Sequence, residues 1–387
     1  MLAISAGYDE QSVQAVGRLE LIAVWDLGVR LFHWLLVAAV GIAAVTGLFG
    51  PLNRLSLHVA AGATIGGLLV FRIVWGFAGT TYARFSSFAF PPSAIAAYVK
   101  ELQAGRHAVY LGHNPLGSVM VFALLAILAL NVTTGVIVLG GVDKQGPLAF
   151  SISYETGTTL RAIHQILAYV LLVMIVGHLT GVVHESFRSN AKPVLAMITG
   201  EKPDTSVAIT ANPARAWPAF AGLALLLLLT GAAYEAIALS SRPALGVPTG
   251  SLDSTYVKEC GSCHMAYPPS LGTSSRWIAL MAGLADHFGE DASLEPKLMS
   301  SIRAYLINNS AEKWDTRPSH ELAESNPGDP LRLTATPFWS RTHRAIPAAV
   351  FRSKAVGAKG ACNACHGDAL TGRFDPQKIE IPARALQ

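Results

Sequence analysis

Five apolar runs, at about 29–49, 55–78, 116–140, 161–184 and 217–239, occupy about half of the first 240 residues of this 387-residue chain. Each is near the roughly 20 residues that carry an α-helix across about 30 Å of hydrocarbon. In that medium every backbone N–H and C=O must be satisfied within its own segment, so these runs are expected to be transmembrane helices and the fold to be mainly α. Composition agrees, with 51% hydrophobic and 14% charged residues, the balance of a membrane protein carrying an attached polar part. The polar part begins near residue 256, after a Pro/Gly/Ser-containing stretch at 241–255 that reads as a flexible linker.

Orientation follows from Lys and Arg. Residues 1–28 carry Asp9, Glu10, Arg18, Glu20 and Asp26 with no cleavable signal pattern, so the first span is expected to serve as an uncleaved anchor. Of the basic residues that flank the spans before the polar part, the segment before span one and the connections two-to-three and four-to-five hold most, including Arg84, Lys100, Arg106, Lys192 and Lys202, whereas the opposite connections hold Arg54 and Lys144. The amino terminus is therefore expected in the cytoplasm and the carboxyl terminus, after five crossings, in the periplasm of a bacterial inner membrane. The net charge of +4 on 387 residues gives no basis for nucleic-acid binding.

All four cysteines fall in two copies of Cys-x-x-Cys-His, Cys260-Gly-Ser-Cys263-His264 and Cys362-Asn-Ala-Cys365-His366. That spacing lets two thiols add to the two vinyl groups of one porphyrin while the adjacent imidazole takes the iron, so two haems c are expected, with His264 and His366 as proximal ligands. Covalent attachment of this kind takes place outside the bacterial plasma membrane, in agreement with the charge asymmetry.

Histidines inside the spans carry the next signal, because ionisable groups at membrane depth are costly and usually functional. His164 and His178 share the fourth span; at about 100° and ~1.5 Å per residue they lie within about 40° of one face and ~21 Å apart along the axis. His33 begins span one on the cytoplasmic side, as the late His178 does, and His58 begins span two on the other side, as the early His164 does. Two pairs result, His33 with His178 and His58 with His164, each suited to both axial positions of a haem b.

The order Val24-Trp25-Asp26, Val29-Arg30, Phe32-His33-Trp34 and Gly112-His113-Asn114-Pro115-Leu116-Gly117, with the paired histidines of span four, resembles the bacterial cytochrome b561 and hydrogenase-type cytochrome b superfamily over about residues 20–200. The resemblance implies a four-helix di-haem b bundle that exchanges electrons with a quinone, ubiquinone or menaquinone. Span five then serves to return the chain and tether the outer part. From Cys260 onward, Ala266-Tyr267-Pro268-Pro269, Trp277, Asp286-His287-Phe288-Gly289-Glu290-Asp291-Ala292, Thr336-Pro337-Phe338 and His343-Arg344-Ala345-Ile346-Pro347 resemble the diheme cytochrome c family. That resemblance implies bis-histidine haems, with distal ligands His287, placed on a short amphipathic helix, and His343, and with His320 in reserve. Which distal imidazole serves which haem stays open.

Weaker candidates complete the inventory. Arg30 and Arg72 at the inner haem level, and Arg54 and Arg161 at the outer level, are candidates to pair with haem propionates, against the plainer reading of snorkelling helix-end side chains. Glu235 in span five is the quinone-site candidate, against that of an interfacial carboxylate. Asn131, Thr133 and Thr134 read as packing residues, and His107, His113 and His184 as turn or interfacial groups. The expected organisation is a cytoplasmic segment (1–28), a di-haem b domain (29–200), a loop with the fifth span (201–240), a linker (241–255) and a periplasmic diheme domain (256–387).

Eight imidazoles on four irons leave no open coordination position, so the expected activity is electron transfer between the quinone pool and a periplasmic redox partner, catalytic at most as a quinol:acceptor oxidoreductase. Expected partners are membrane lipid, quinone, a periplasmic electron-transfer protein, and a second copy of the chain or a catalytic subunit. Two other classes fit the superfamily resemblance: an electron-transfer subunit of a larger oxidoreductase such as a hydrogenase, and a superoxide:quinone oxidoreductase.

Overall fold

The computed structural model describes residues 21–50, 54–106, 110–188, 192–203 and 210–385. Most of the expected N-terminal segment, with Arg18, and His107 lie outside these. Among the described residues five helices are long and apolar enough to cross a membrane: α1 (Leu27–Leu48), α2 (Leu55–Ala78), α4 (Pro115–Gly141), α5 (Tyr154–Arg188) and α7 (Pro218–Ser240), with the shorter α3 (Pro92–Gln103) and α6 (Pro193–Thr199) between them. The chain is a mainly α, multi-pass membrane protein.

The helix α5 starts at Tyr154 and not near residue 161. Its first turns, Glu155-Thr-Gly-Thr-Thr, are too polar to read as part of a membrane span, but they are helical for a local reason. The Ser153 hydroxyl accepts the Thr156 N–H at 3.2 Å, and the hydroxyls of Thr158 and Thr159 fold back onto the Glu155 carbonyl at 2.8 and 3.0 Å. Arg161 therefore lies inside a helix and not at its margin.

The chain forms two compact units. The first comprises the described residues through Gly41 with Gly62–Asn131 and Leu167–Thr230. Here β1 (Leu21–Ala23) pairs antiparallel with β2 (Glu201–Pro203), Ile22 opposite Lys202, a three-residue ladder too short to leave an alternation in the sequence. Val24, Trp25, Val29, Ala83, Leu111 and Ala196 bury together beside it. Asp26 starts α1, accepting the Val29 N–H at 2.8 Å, and also takes the Trp75 indole N–H at 2.9 Å and the Thr80 hydroxyl at 2.6 Å. The approach to α7 is held by the Trp217 N–H on the Ala78 carbonyl at 2.8 Å.

The second unit comprises Ile42–Ala61, Val132–Ile166 and Gly231–Gln387. Its C-terminal part is built from short capped helices: α8 (Ser254–Cys260), α9 (Ser274–Ala282), α10 (Pro296–Asn308), α11 (Arg317–Glu321), α12 (Pro337–His343) and α13 (Ala348–Arg352). Asp253, Thr273, Glu295 and Thr316 cap the first four of these, Thr316 with Ser319 as a reciprocal box, and Thr336 caps α12. Two apolar clusters result, one around Tyr256, Trp277, Met281, Ile302 and Leu306, the other around Val350, Phe351, Val356 and Ala385.

The 241–255 stretch, expected to be flexible, is pinned. The Leu245 N–H donates to the Ala149 carbonyl and the Asp315 N–H to the Gly246 carbonyl, both at 2.8 Å. Gly246 has φ +64°, and a Cβ there would come within 2.4 Å of the Asp315 side chain. The composition of a linker is thus used for close backbone approach and not for slack.

Candidate functional site

Within the second unit the structure brings three pairs of imidazoles together. The ring centroids of His58 and His164 are 6.2 Å apart with planes at 84°. Those of His264 and His287 are 6.2 Å apart at 25°, and those of His343 and His366 are 6.1 Å apart at 72°. An iron bound axially at about 2 Å by two imidazole nitrogens separates the ring centroids by about 6 Å. All three pairs fit that group.

The opposite ring nitrogen of four of these residues is already engaged. Nδ1 of His58 contacts the Ala43 carbonyl at 3.0 Å and the Thr46 hydroxyl at 3.3 Å, and Nδ1 of His164 contacts the Thr134 hydroxyl at 3.0 Å. Nδ1 of His264 meets the Met265 carbonyl at 2.7 Å, and Nδ1 of His343 meets the Trp339 carbonyl at 2.9 Å. Such contacts set the tautomer and orientation and leave Nε2 for a metal. Small residues make the room: a Cβ at Gly47 would lie 2.8 Å from the His58 ring, and one at Gly135 would lie 3.3 Å from the His164 ring.

The His343–His366 pair opens on a cavity of about 390 Å³ that also receives Cys362 and Cys365. Burial pushes the Cys362 and Cys260 thiols up to about 11, so both are protonated thiols until alkylated. Burial lowers His287, His343 and His366, the ring of His264 adding to the first and that of His343 to the last. The imidazoles are thereby kept in the neutral form that binds metal.

His287 was expected on a helix and instead sits on a turn after the 3₁₀ segment Leu284–Asp286, exchanging backbone hydrogen bonds with Glu290. The reason is the left-handed backbone of Phe288 and Gly289, φ +57° and +100°, which no helix accommodates. The reserve candidate His320 lies elsewhere, stacked on Tyr154 at 4.7 Å with Nε2 3.0 Å from Asp315.

In the first unit His33 and His178 are close enough to interact electrostatically, and His33 Nδ1 is buried with no hydrogen-bond partner among the described residues. His113 packs against Trp25 and Phe88 at 4.8 and 4.6 Å, and its pKa is lowered to about 3 by burial and by Arg72, Lys202 and His178. The arginine candidates divide. Arg30 donates to the Ile198 carbonyl, and buried Arg72 donates to the Ala83 carbonyl at 3.0 Å while lying over the Phe85 ring. Arg54 is exposed, and Arg161 lines an open cleft with Arg317, Arg341 and Arg344. Glu235 is exposed on α7 between Tyr234 and Ile237, themselves 71% and 72% exposed.

Sequence reasoning passed over Thr134, read as a packing residue, and gave no role to Thr46, Trp339, Lys144, Asp315 or Tyr267. Thr134 and Thr46 carried one signal, a hydroxyl in an apolar helix, which is too common to single them out.

Two family models match the chain, Prokaryotic cytochrome b561 over residues 24–200 and Dihaem cytochrome c over residues 256–374. The chain is 24% identical over 227 residues to a probable Ni/Fe-hydrogenase B-type cytochrome subunit of Rhizobium leguminosarum bv. viciae, covering 50% of this chain and 93% of that protein. It is 23% identical over 209 residues to the probable Ni/Fe-hydrogenase 1 B-type cytochrome subunit of Escherichia coli (strain K12), covering 46% and 88%. Among solved structures it is similar to the diheme cytochrome type c of Shewanella baltica OS155, at 34% identity, 34% and 93% coverage and a TM-score of 0.28. It is also similar to the diheme cytochrome c of Rhodobacter sphaeroides, at 37% identity, 31% and 94% coverage and a TM-score of 0.27. Both families carry haem, of b and c type respectively, and with five membrane-capable helices the chain is a membrane electron-transfer protein whose residues 24–200 belong to the prokaryotic cytochrome b561 family and residues 256–374 to the dihaem cytochrome c family.

Proposed function

We propose that the protein oxidises quinol within the bacterial inner membrane and delivers the electrons through its C-terminal domain to a periplasmic redox partner. His33 with His178 and His58 with His164 would hold two haems b; Cys260, Cys263, His264 and His287 one haem c; Cys362, Cys365, His366 and His343 the other. Bound haem supplies one-electron chemistry, and the chain supplies placement, neutral ligands and exclusion of water. The observation that carries this reading is the series of three imidazole pairs at 6.1–6.2 Å within one compact unit. The excess of Lys and Arg in alternate connections supports a cytoplasmic amino terminus and a periplasmic C-terminal domain.

The test is a spectroelectrochemical titration with added quinol on the wild type and on His58→Leu or His164→Leu. Either variant is expected to lack one b-type signal and to lose quinol-driven reduction of haem c; unchanged haem c reduction would overturn the route.

A second reading has support of its own. The named relatives of the membrane part are hydrogenase B-type cytochrome subunits. In that reading a catalytic subunit supplies or takes the electrons. Co-purification of a second subunit from the native membrane distinguishes it.

A further inference from the structure

We propose that the site built by Cys362, Cys365, His366 and His343 is the electron-accepting port of the C-terminal domain, that the Lys144–Asp315 ion pair positions it, and that Tyr267 joins it to the Cys260–Cys263 site. This rests on the outward electron route proposed above and adds to it the order of the two c-type sites.

The first support is the wall of the cavity. Cys362, Cys365, His366 and His343 share it with Val142, Asp143 and Lys144, the residues that directly follow α4. Thr134, which holds His164, is on the same helix, about 12 Å before Val142 at ~1.5 Å per residue. One continuous helix therefore runs from the His58–His164 pair to the wall of the second pentapeptide. At the first pentapeptide, the apolar cluster that Cys260 packs against is drawn, among the described residues, from 252–306 alone. Electron tunnelling falls off exponentially with distance, and the continuous path from α4 through the turn at Val142–Lys144 assigns the second pentapeptide as the acceptor of the two.

The second support is the contact that holds this arrangement. The Lys144 side chain is 4% exposed and its Nζ lies 2.7 Å from Asp315 and 3.0 Å from the Ile152 carbonyl. Asp315 also accepts the Tyr154 N–H at 2.8 Å. Lys144 takes a left-handed backbone, φ +53°, which is unfavourable for a non-glycine residue and persists where surrounding contacts over-determine it.

Tyr267 carries the third. Its ring is 5.2 Å from that of His264, its hydroxyl donates to the Gly360 carbonyl at 2.9 Å, and it lines the cavity of the second pentapeptide. Cys263 and His264 are exposed, as the delivering end of such a series must be. Each transfer moves one electron, lost at the His58–His164 site and gained at the Cys362–Cys365–His366 site; no bond forms and no proton is required for balance.

Replacing one distal histidine by methionine marks that haem, because thioether ligation raises its potential and changes its spectrum. In single-turnover experiments on the full-length protein, with electrons supplied either by a quinol pulse or by a photoexcited reductant of the b haems, the marked haem of His343→Met is expected to be reduced first and to retain the electron. The marked haem of His287→Met is expected to be reduced second. The reverse order in either variant overturns the proposal. If quinol fails to reduce the wild type while photoinjected electrons keep this order, the quinol reading falls and the port stands.

A second series needs no ligand change. Lys144→Asp is expected to slow reduction of both c-type haems at least tenfold and to lengthen the iron–iron distance from the His58–His164 site measured by pulsed EPR. The double variant Lys144→Asp/Asp315→Lys is expected to restore both. An unchanged rate and distance in Lys144→Asp would overturn the positioning role. Tyr267→Leu is expected to slow the second reduction and spare the first; equal slowing of both would remove Tyr267 from the assignment.

Discussion

The rings of His58 and His164 face each other at 6.2 Å with planes nearly perpendicular, at 84°, and each is braced from behind by a threonine of a neighbouring helix, Thr46 or Thr134. The orientation of each imidazole is thus held by hydrogen bonding within the protein. The three pairs of the second unit differ in that orientation, and the difference is measurable.

Perpendicular axial imidazoles leave the iron d orbitals nearly degenerate, and parallel ones split them. The His58–His164 and His343–His366 sites, at 84° and 72°, are expected to give strongly anisotropic low-spin EPR signals, and the His264–His287 site, at 25°, a rhombic one. Low-temperature EPR of the oxidised protein, assigned with His58→Leu, checks this; a rhombic signal lost in that variant would contradict it.

Thr134→Val removes a hydroxyl that contacts His164 Nδ1 at 3.0 Å. Outer-shell partners raise ligand basicity, so their loss typically costs about 10–100-fold in metal affinity and favours the reduced metal. The b-type haem of this site is expected to shift to higher potential and to be lost more readily, while the c-type signals stay in place. A redox titration resolved by haem type reads both effects.

Gly47→Ala puts a methyl group 2.8 Å from the His58 ring. Overpacking of this kind costs about 1–3 kcal/mol, so lowered b-haem content and a lowered unfolding temperature are expected. Gly62→Ala, with nothing within 4 Å of the added carbon, is the control and is expected to be neutral or to stabilise by about 0.5–1 kcal/mol, as removal of a mid-helix glycine does.

Asp315→Ala leaves the buried Lys144 ammonium without its counter-charge. Breaking such a pair from one side costs about 3–5 kcal/mol, expected as faster hydrogen exchange over residues 142–154 and 241–250. Burial alone would push the Asp315 carboxyl up, but Lys144, the Tyr154 N–H and His320 together hold it below its ordinary value. A depressed carboxylate contributes its stability fully above the unfolded-state pKa of about 3.9 and loses it as pH falls through the lower folded value. Docking is therefore expected to survive to pH 4 and to loosen below it, with exchange rates over 142–154 following that titration in the wild type and not in Asp315→Ala.

How far the chain could be read from its residues differed by level. The membrane helices were legible because a period-free apolar run of the right length has no other stable use in water or lipid. Even there, the polar first turns of α5 were missed, since hydroxyl-to-carbonyl bonds sustain a helix without adding to its hydropathy. The two short strands left no pattern to find. Linker composition misled for a related reason: Gly246 permits flexibility in isolation and close approach in context, and Asp315 selects the second.

The covalent spacing of the two pentapeptides, the five apolar runs and the supply of imidazoles are properties of the sequence by itself, because they depend on neighbours within a few residues or on transfer between solvents. The tertiary structure alone decided that His287 stands opposite His264 and His343 opposite His366. It also decided that His320 belongs with Asp315 and Tyr154, and that Lys144, an ordinary surface residue on paper, is buried against a carboxylate far along the chain. These pairings join residues across loops and short helices. Their partners are chosen by how the apolar clusters pack, and no local spacing carries that information.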